Sequence, residues 1–378
     1  MLINKFINNS YCTVIIVLYF IILSYPSFSK EPPCNENKKI CAILDLVVGI
    51  KTPMMIASGT IIDKNFIVTN RHVVEDYPQV IIKFNDGRIK KAYPIPHNYP
   101  VDLVLLSFNK EMNIPQNLPL PLYPEGNIRV VAFDQGRNAN RVYKSGKIIY
   151  FPDIKDSIKG RIHTKAQSLP GNSGGAVVDD NGDLIGFLAS GDGNFNEVIP
   201  ITMLSNVVKN ISLDHAKEFL MIGKYIRLCA DNLELAFNVQ RKLDPNLRDN
   251  ISSNCWNSKN KQLIDQAGQT FGRLGELQKS AKFLEKSTQL DPMSPNSLLS
   301  LAITYHIDRK IKKEKPIILR LLKLIPEDPQ VLRLGIQVAG LLKDRKMSQN
   351  ILYLMSLHNK EALPLAKKFI DNAFKLIN

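Results

Sequence analysis

Near residue 212 the hydrophobic pattern changes period, and that break constrains the fold more than any other feature of the chain. Before it, short β-branched runs follow one another at 61–62, 66–68, 80–84, 89–93 and 103–108, punctuated by turn formers such as Asn85-Asp86-Gly87. A second series occupies 128–133, 142–150, 162–167, 176–178, 184–189 and 198–201. Closely spaced short strands with such turns predict an all-β barrel or sandwich. Proline-rich residues 115–124 cannot continue a central strand and fall between the two series as a connection between lobes. Residues 41–50 and 54–60 read as the first strands, preceded by a polar, mobile arm.

Beyond Ser212 the apolar residues take helical spacing, after a short helix predicted over 204–211. An internal repeat is visible: Pro292 and Pro326, like Pro295 and Pro329, stand 34 residues apart. Ile264, Ala267, Gly268, Phe271 and Ser287 occupy matching places to Leu298, Leu301, Ala302, Tyr305 and Leu321, as paired helices with small-and-aromatic packing require. Residues from Leu332 onward keep this pattern poorly, and 217–243 reads as a preceding helix pair. The aromatic stripe reads as packing core and the basic cluster 309–315 as a solvated turn.

In the β half, Pro170-Gly171-Asn172-Ser173-Gly174-Gly175 sets a serine among three glycines between a turn and a strand. Glycines allow backbone conformations closed to other residues, so successive N–H groups can converge beside the hydroxyl as an oxyanion hole. Alone, such a stretch is as well read as a hairpin turn. A nucleophilic serine needs a base, and the base needs an orienting acid. His72 follows the strand-like 66–69, and Asp102 stands at the mouth of the apolar strand Leu103-Val104-Leu105-Leu106, where a carboxylate is costly unless paired.

The order His72, Asp102, Ser173 is that of chymotrypsin-like barrels, not of subtilisins or α/β-hydrolases. Thr69-Asn70-Arg71-His72-Val73-Val74, Asp102-Leu103-Val104-Leu105-Leu106 and Pro170-Gly171-Asn172-Ser173-Gly174-Gly175 together resemble the signature blocks of trypsin-like serine proteases of the HtrA (Deg) type, over residues 45–205. The resemblance implies an all-β double-barrel protease domain (45–211) with Ser173 as nucleophile, His72 as general base and acid, Asp102 as its orienting group, and an oxyanion hole from the N–H groups of Gly171 and Ser173. It also places the substrate pocket at Gln167, Ser168, Ala189, Ser190 and Gly191. Without an Asp at 167, preference for Arg or Lys is not expected, and small or medium uncharged side chains are.

The sequence departs from the HtrA pattern at Lys165, usually Asp, and Ala176, usually Pro. Nothing resembling a PDZ domain follows the protease. The all-α part (212–378) instead resembles tetratricopeptide repeats, which implies a docking surface for substrate or a protein partner. The alternative is a catalytically inert, protease-like scaffold whose helical repeats bind a protein.

Residues 1–29 read as a signal peptide: Lys5, an apolar run over 11–23, and the small-x-small Ser27-Phe28-Ser29. That predicts export to periplasm or extracellular space, with 30–44 as the amino-terminal arm. An uncleaved segment is the alternative and the only route to membrane association. Cys34, Cys41, Cys229 and Cys255 then remain; three connectivities are open, and pairing 34 with 41 and 229 with 255 closes the smallest loops. Net charge is +14, of which residues 211–378 contribute 27 − 17 = +10. With no nucleic-acid motif, this reads as a solvated helical surface, and no nucleic-acid partner, metal or cofactor is expected.

Overall fold

The computed structural model describes residues 34–109, 115, 118, 119, 123, 124, 126–153, 160–191 and 195–375. The predicted leader and half of the proline-rich connection lie outside them. No helix among the described residues is long and apolar enough to cross a membrane.

The first lobe is a closed six-stranded antiparallel barrel of β1 (Val47–Lys51), β2 (Ile56–Asp63), β3 (Phe66–Thr69), β4 (Val80–Lys83), β5 (Ile89–Pro94) and β6 (Val104–Ser107). Their order is β1-β2-β3-β6-β5-β4, with β4 returning to pair with β1. Val48, Ile50, Ile67, Val80, Ile82 and Leu106 fill its interior. The second lobe is a seven-stranded sheet of β7 (Ile128–Asp134), β8 (Ala139–Val142), β9 (Ile148–Tyr150), β10 (Ile162–Thr164), β11 (Ala176–Asp179), β12 (Leu184–Gly191) and β13 (Asn196–Pro200), ordered β8-β7-β11-β12-β13-β10-β9. A further cluster, with Phe66, Val68, Leu103 and Leu105 from one lobe and Phe187, Ala189 and Ile199 from the other, packs the two together. This is the chymotrypsin-like arrangement, with both sheets burying their apolar faces.

Two strand expectations are corrected. Residues 41–46 are not strand: α1 (Lys38–Ile43) and a 3₁₀ turn (Leu44–Leu46) precede β1. Asn37 caps α1 by accepting from the Ile40 N–H, and Ile40, 1% exposed, packs with Val47, Val131, Ala176 and Val178. The latter part of the supposed mobile arm therefore belongs to the core of the β lobes. The single run expected over 142–150 is split into β8 and β9. At Gly146 the backbone crosses so closely that a Cβ would lie 2.2 Å from the Ala166 nitrogen, and Gly146 forms an isolated bridge with Ile128.

The helical part begins after α2 (Arg71–Val74), inside the first lobe, and α3 (Thr202–Lys209), which matches the expected exit helix. The pair expected over 217–243 is instead one 22-residue helix, α4 (Ala216–Phe237), followed by α5 (Pro245–Asn257), whose start Asp244 caps. Cys229 of α4 and Cys255 of α5 are joined by a disulfide, Cα–Cα 4.7 Å. Then come α6 (Lys261–Arg273), α7 (Leu277–Leu290), α8 (Pro295–Ile307), α9 (Ile311–Leu324), α10 (Pro329–Leu341), α11 (Arg345–His358) and α12 (Leu363–Lys375). Helices α6, α8, α10 and α12 start one every 34 residues, so the repeat continues through the stretch whose residue pattern had faded. Asn260, Ser294 and Asp328 cap three of these helices, and proline opens α8 and α10.

Candidate active site

His72 is placed by the short helix α2, where Val73 and Val74 are fully buried and leave the imidazole on the partly exposed side. Asp102, 5% exposed, sits just before β6 and organises that turn. Its carbonyl accepts from Asn70 Nδ2 (2.9 Å) and the Arg71 N–H (3.3 Å). Its carboxylate accepts from the His72 N–H (3.0 Å) through Oδ1 and from His72 Nδ1 (2.7 Å) through Oδ2. Burial alone would raise the Asp102 pKa, but the charge and hydrogen bond of His72 outweigh it and hold the group below the ordinary carboxylate value. With Nδ1–H engaged, Nε2 is left as the acceptor.

Ser173 lies in the turn before β11, half-buried. Gly174 has φ +85°, and a Cβ there would lie 2.2 Å from the Ser58 carbonyl oxygen, so only glycine lets the turn approach β2. Gly171, φ +91°, sets the other side. Two β2 side chains and one β2 N–H tie the turn to the first barrel: Ser58 Oγ donates to Gly171 O (2.9 Å), Thr60 Oγ1 donates to Gly174 O (3.0 Å), and the Ser58 N–H donates to Ser173 O (2.9 Å). Asn172 Nδ2 donates to Phe133 O and Tyr143 Oη on the second lobe. Among the described residues, the N–H groups of Gly171 and Ser173 have no internal acceptor. Ser173 Oγ donates to Ala189 O at 3.2 Å, and no hydrogen bond joins it to His72.

Of the expected pocket residues, Ser168, Ala189, Ser190 and Gly191 come together, while Gln167 is exposed and its N–H donates to Lys144 O. Asn196 fills the space between Ser168 and Gly191. Ser168 Oγ donates to its Oδ1 (2.7 Å), and a Cβ at Gly191 would fall 1.5 Å from the same oxygen. Ser58, Thr60 and Asn196 carried no sequence signal, because each acts through the fold and not through a local motif.

The remaining histidines are placed differently. His163 is fully buried, 3.0 Å from Asp291 of the helical part. His97 is buried with Nε2 on Leu103 O, and desolvation lowers its pKa to about 4. His163, Glu197 and Asp291 form the one group with metal-ligand spacing among the described residues. Lys261 and Arg161 already neutralise Glu197, so a further cation there meets two fixed positive charges. Lys165, the departure noted above, reaches Glu327 of the helical part at 2.7 Å.

The two β lobes make up the chymotrypsin-like fold, with a paired histidine and aspartate on one and a glycine-flanked serine on the other. Residues 57–187 match the family model of the trypsin-like peptidase domain, and the chain carries such a domain, homologous to the HtrA-type serine proteases. It is similar to the serine endoprotease DegS of Escherichia coli K12, 29% identical over 221 residues, 51% of this chain and 62% of that protein. It is also similar to the periplasmic serine endoprotease DegP of the same organism, 30% identical over 172 residues, 42% of this chain and 35% of that protein. The chain thus spans under two thirds of the relatives it matches. Among solved structures, the serine endoprotease from Yersinia pestis aligns at 24% identity and TM-score 0.38, covering 47% of this chain and 67% of that one.

Proposed function

We propose that the protein is an exported serine endopeptidase that hydrolyses peptide bonds through His72, Asp102 and Ser173. The observation that carries this reading is the two-point hold of Asp102 on His72, which fixes the imidazole in the tautomer a general base needs. His72 Nε2 takes the proton of Ser173 as Oγ attacks the carbonyl carbon. The unoccupied N–H groups of Gly171 and Ser173 then receive the developing oxyanion. His72 returns the proton to the leaving amine, and water releases the acyl group by the same route. Asn196, lying across the space between Ser168 and Gly191, supports a shallow pocket for small or medium uncharged side chains. The helical repeats, resembling tetratricopeptides, serve as a docking surface for substrate or a protein partner.

One observation favours a second reading, the inert scaffold: the Ser173 hydroxyl is bonded to Ala189 and not to His72. Catalytic hydrogen bonds are often long or misaligned without substrate, and the Ala189 contact needs only a side-chain rotation to release the hydroxyl. A fluorophosphonate probe separates the two. Labelling of the purified chain that is lost in Ser173→Ala supports the peptidase, and a chain that never labels and leaves unfolded casein intact supports the scaffold.

A further inference from the structure

The strand β12 carries both Ala189, which holds the serine hydroxyl, and the pocket residues Ser190 and Gly191. Its pairing with β13 slips between Leu188 and Ser190, so Ala189 sits at a bulge, and the ladder resumes with Ser190 opposite Glu197. A bulge re-aims a strand but leaves its local ladder weaker. Beyond the bulge the Ser190 side chain is held by the Glu197 carboxylate, only 3% exposed.

That carboxylate is shared between the two halves of the protein. Oε2 accepts from Arg161 Nη1 (2.8 Å) and from Ser190 Oγ (3.2 Å), both in the peptidase. Oε1 accepts from Ser294 Oγ (2.8 Å) and from Lys261 Nζ, and Lys261 also donates to Ser294 Oγ (3.1 Å). Lys261 is the first residue of α6 and Ser294 the cap of α8, so both come from the first turns of the helical repeat. Burial alone would raise the Glu197 pKa; Lys261 and Arg161 outweigh it and keep the group ionised. Without Lys261 the carboxylate keeps a charged donor on only one oxygen, and a buried ion in that state turns toward what remains.

We propose that Lys261 and Ser294, acting through Glu197, are positioning residues for Ser190 and Gly191, so that the helical half sets the geometry of the peptidase's substrate-binding strand. This rests on the peptidase reading above. The same contacts could serve only to glue the halves together, and the two roles differ in what they perturb. A glue holds the whole site or none of it. A positioning device changes how a peptide is received and leaves the reactivity of Ser173 toward a small reagent alone.

The test measures peptide hydrolysis and inactivation by a small fluorophosphonate in parallel on the full chain. Lys261→Met lowers kcat/KM for a peptide at least tenfold, mainly through KM, with the inactivation rate within threefold of wild type. Lys261→Arg restores most of the loss. Ser294→Ala, which removes no charge and carries the test should Lys261→Met fail to fold, shows a smaller loss in the same sense. Ser190→Ala combined with Lys261→Met loses little more than Ser190→Ala alone. Peptide kcat/KM within twofold of wild type in Lys261→Met, or peptide and probe rates falling in proportion in both variants, overturns the proposal. A wild-type chain that never labels overturns the peptidase reading and this one with it, whereas a labelled wild type with an unchanged Lys261→Met overturns this one alone.

Discussion

Gly223→Ala is the sharpest probe of how the histidine turn is held. Helix α4 lies against α2, with the Arg71 guanidinium 3.7 Å over the Phe219 ring and donating to Phe219 O at 2.7 Å. Arg227 grips Asp76 through two hydrogen bonds of 2.8 and 2.9 Å. Between these points Gly223 faces the turn, and a Cβ there would lie 2.2 Å from Glu75 O and 2.5 Å from Arg71 Nη2. Restoring ordinary contact requires the helix or the turn to withdraw by about 1 Å. In an unconstrained helix the same change stabilises by about 1 kcal/mol, whereas overpacking costs about 1–3 kcal/mol, so net stability falls by roughly 0–2 kcal/mol. Activity responds more steeply, because a misplacement of about 1 Å in a catalytic constellation can cost about a hundredfold. Peptide kcat/KM should therefore drop by roughly ten- to a hundredfold, with a melting temperature lowered by only a few degrees. A variant that melts higher than wild type at unchanged kcat/KM refutes the reasoning, since α4 would then not be supporting His72.

Further outcomes follow from the same geometry. Burial, with Asp231 adding to it, raises the Glu75 pKa to about 7, and one of its oxygens is buried without a partner. A raised pKa contributes stability that is present below the ordinary carboxylate value and lost as pH rises through 7. Glu75→Gln should therefore flatten the decline of melting temperature between pH 5 and 8, recovering on the order of 2 kcal/mol at the upper end; a parallel pair of curves counts against it. Asp102 and Glu197 have lowered values, so their contribution persists at neutral pH and is lost as pH falls below the ordinary carboxylate range, read as an acid unfolding limb that Glu197→Gln weakens. Replacing Cys229 and Cys255 by serine should cost the helical part about 2–4 kcal/mol in denaturant unfolding; an unchanged midpoint would show the bond to be incidental.

Much of the candidate site was legible because the chemistry proposed for it is written locally. His72 and Asp102 each sit within a short, recognisable block, and the glycines around Ser173 are dictated by a turn that no side chain could enter. The break at Ser212 was legible for the same reason, as periodicity is a local property. Repeat length survived where the residue pattern did not: α10 and α12 keep the 34-residue register because helix lengths and caps such as Asp328 set it, while the packing residues drifted. What could not be read are the contacts between the halves. Arg71 meets Phe219 across 148 residues and Glu197 meets Lys261 across 64, and a buried ion pair has no periodicity to reveal it. Residues 41–46 misled because an apolar run of that length suits strand or helix equally, and the cap at Asn37 decides.

The most direct measurement is mass-spectrometric mapping of a fluorophosphonate adduct on the wild-type chain beside Ser173→Ala and His72→Ala. A peptidase driven by this triad carries the adduct on Ser173, loses it completely in Ser173→Ala, and labels orders of magnitude more slowly in His72→Ala. An adduct on another residue, or labelling of Ser173 that is indifferent to His72, would contradict it.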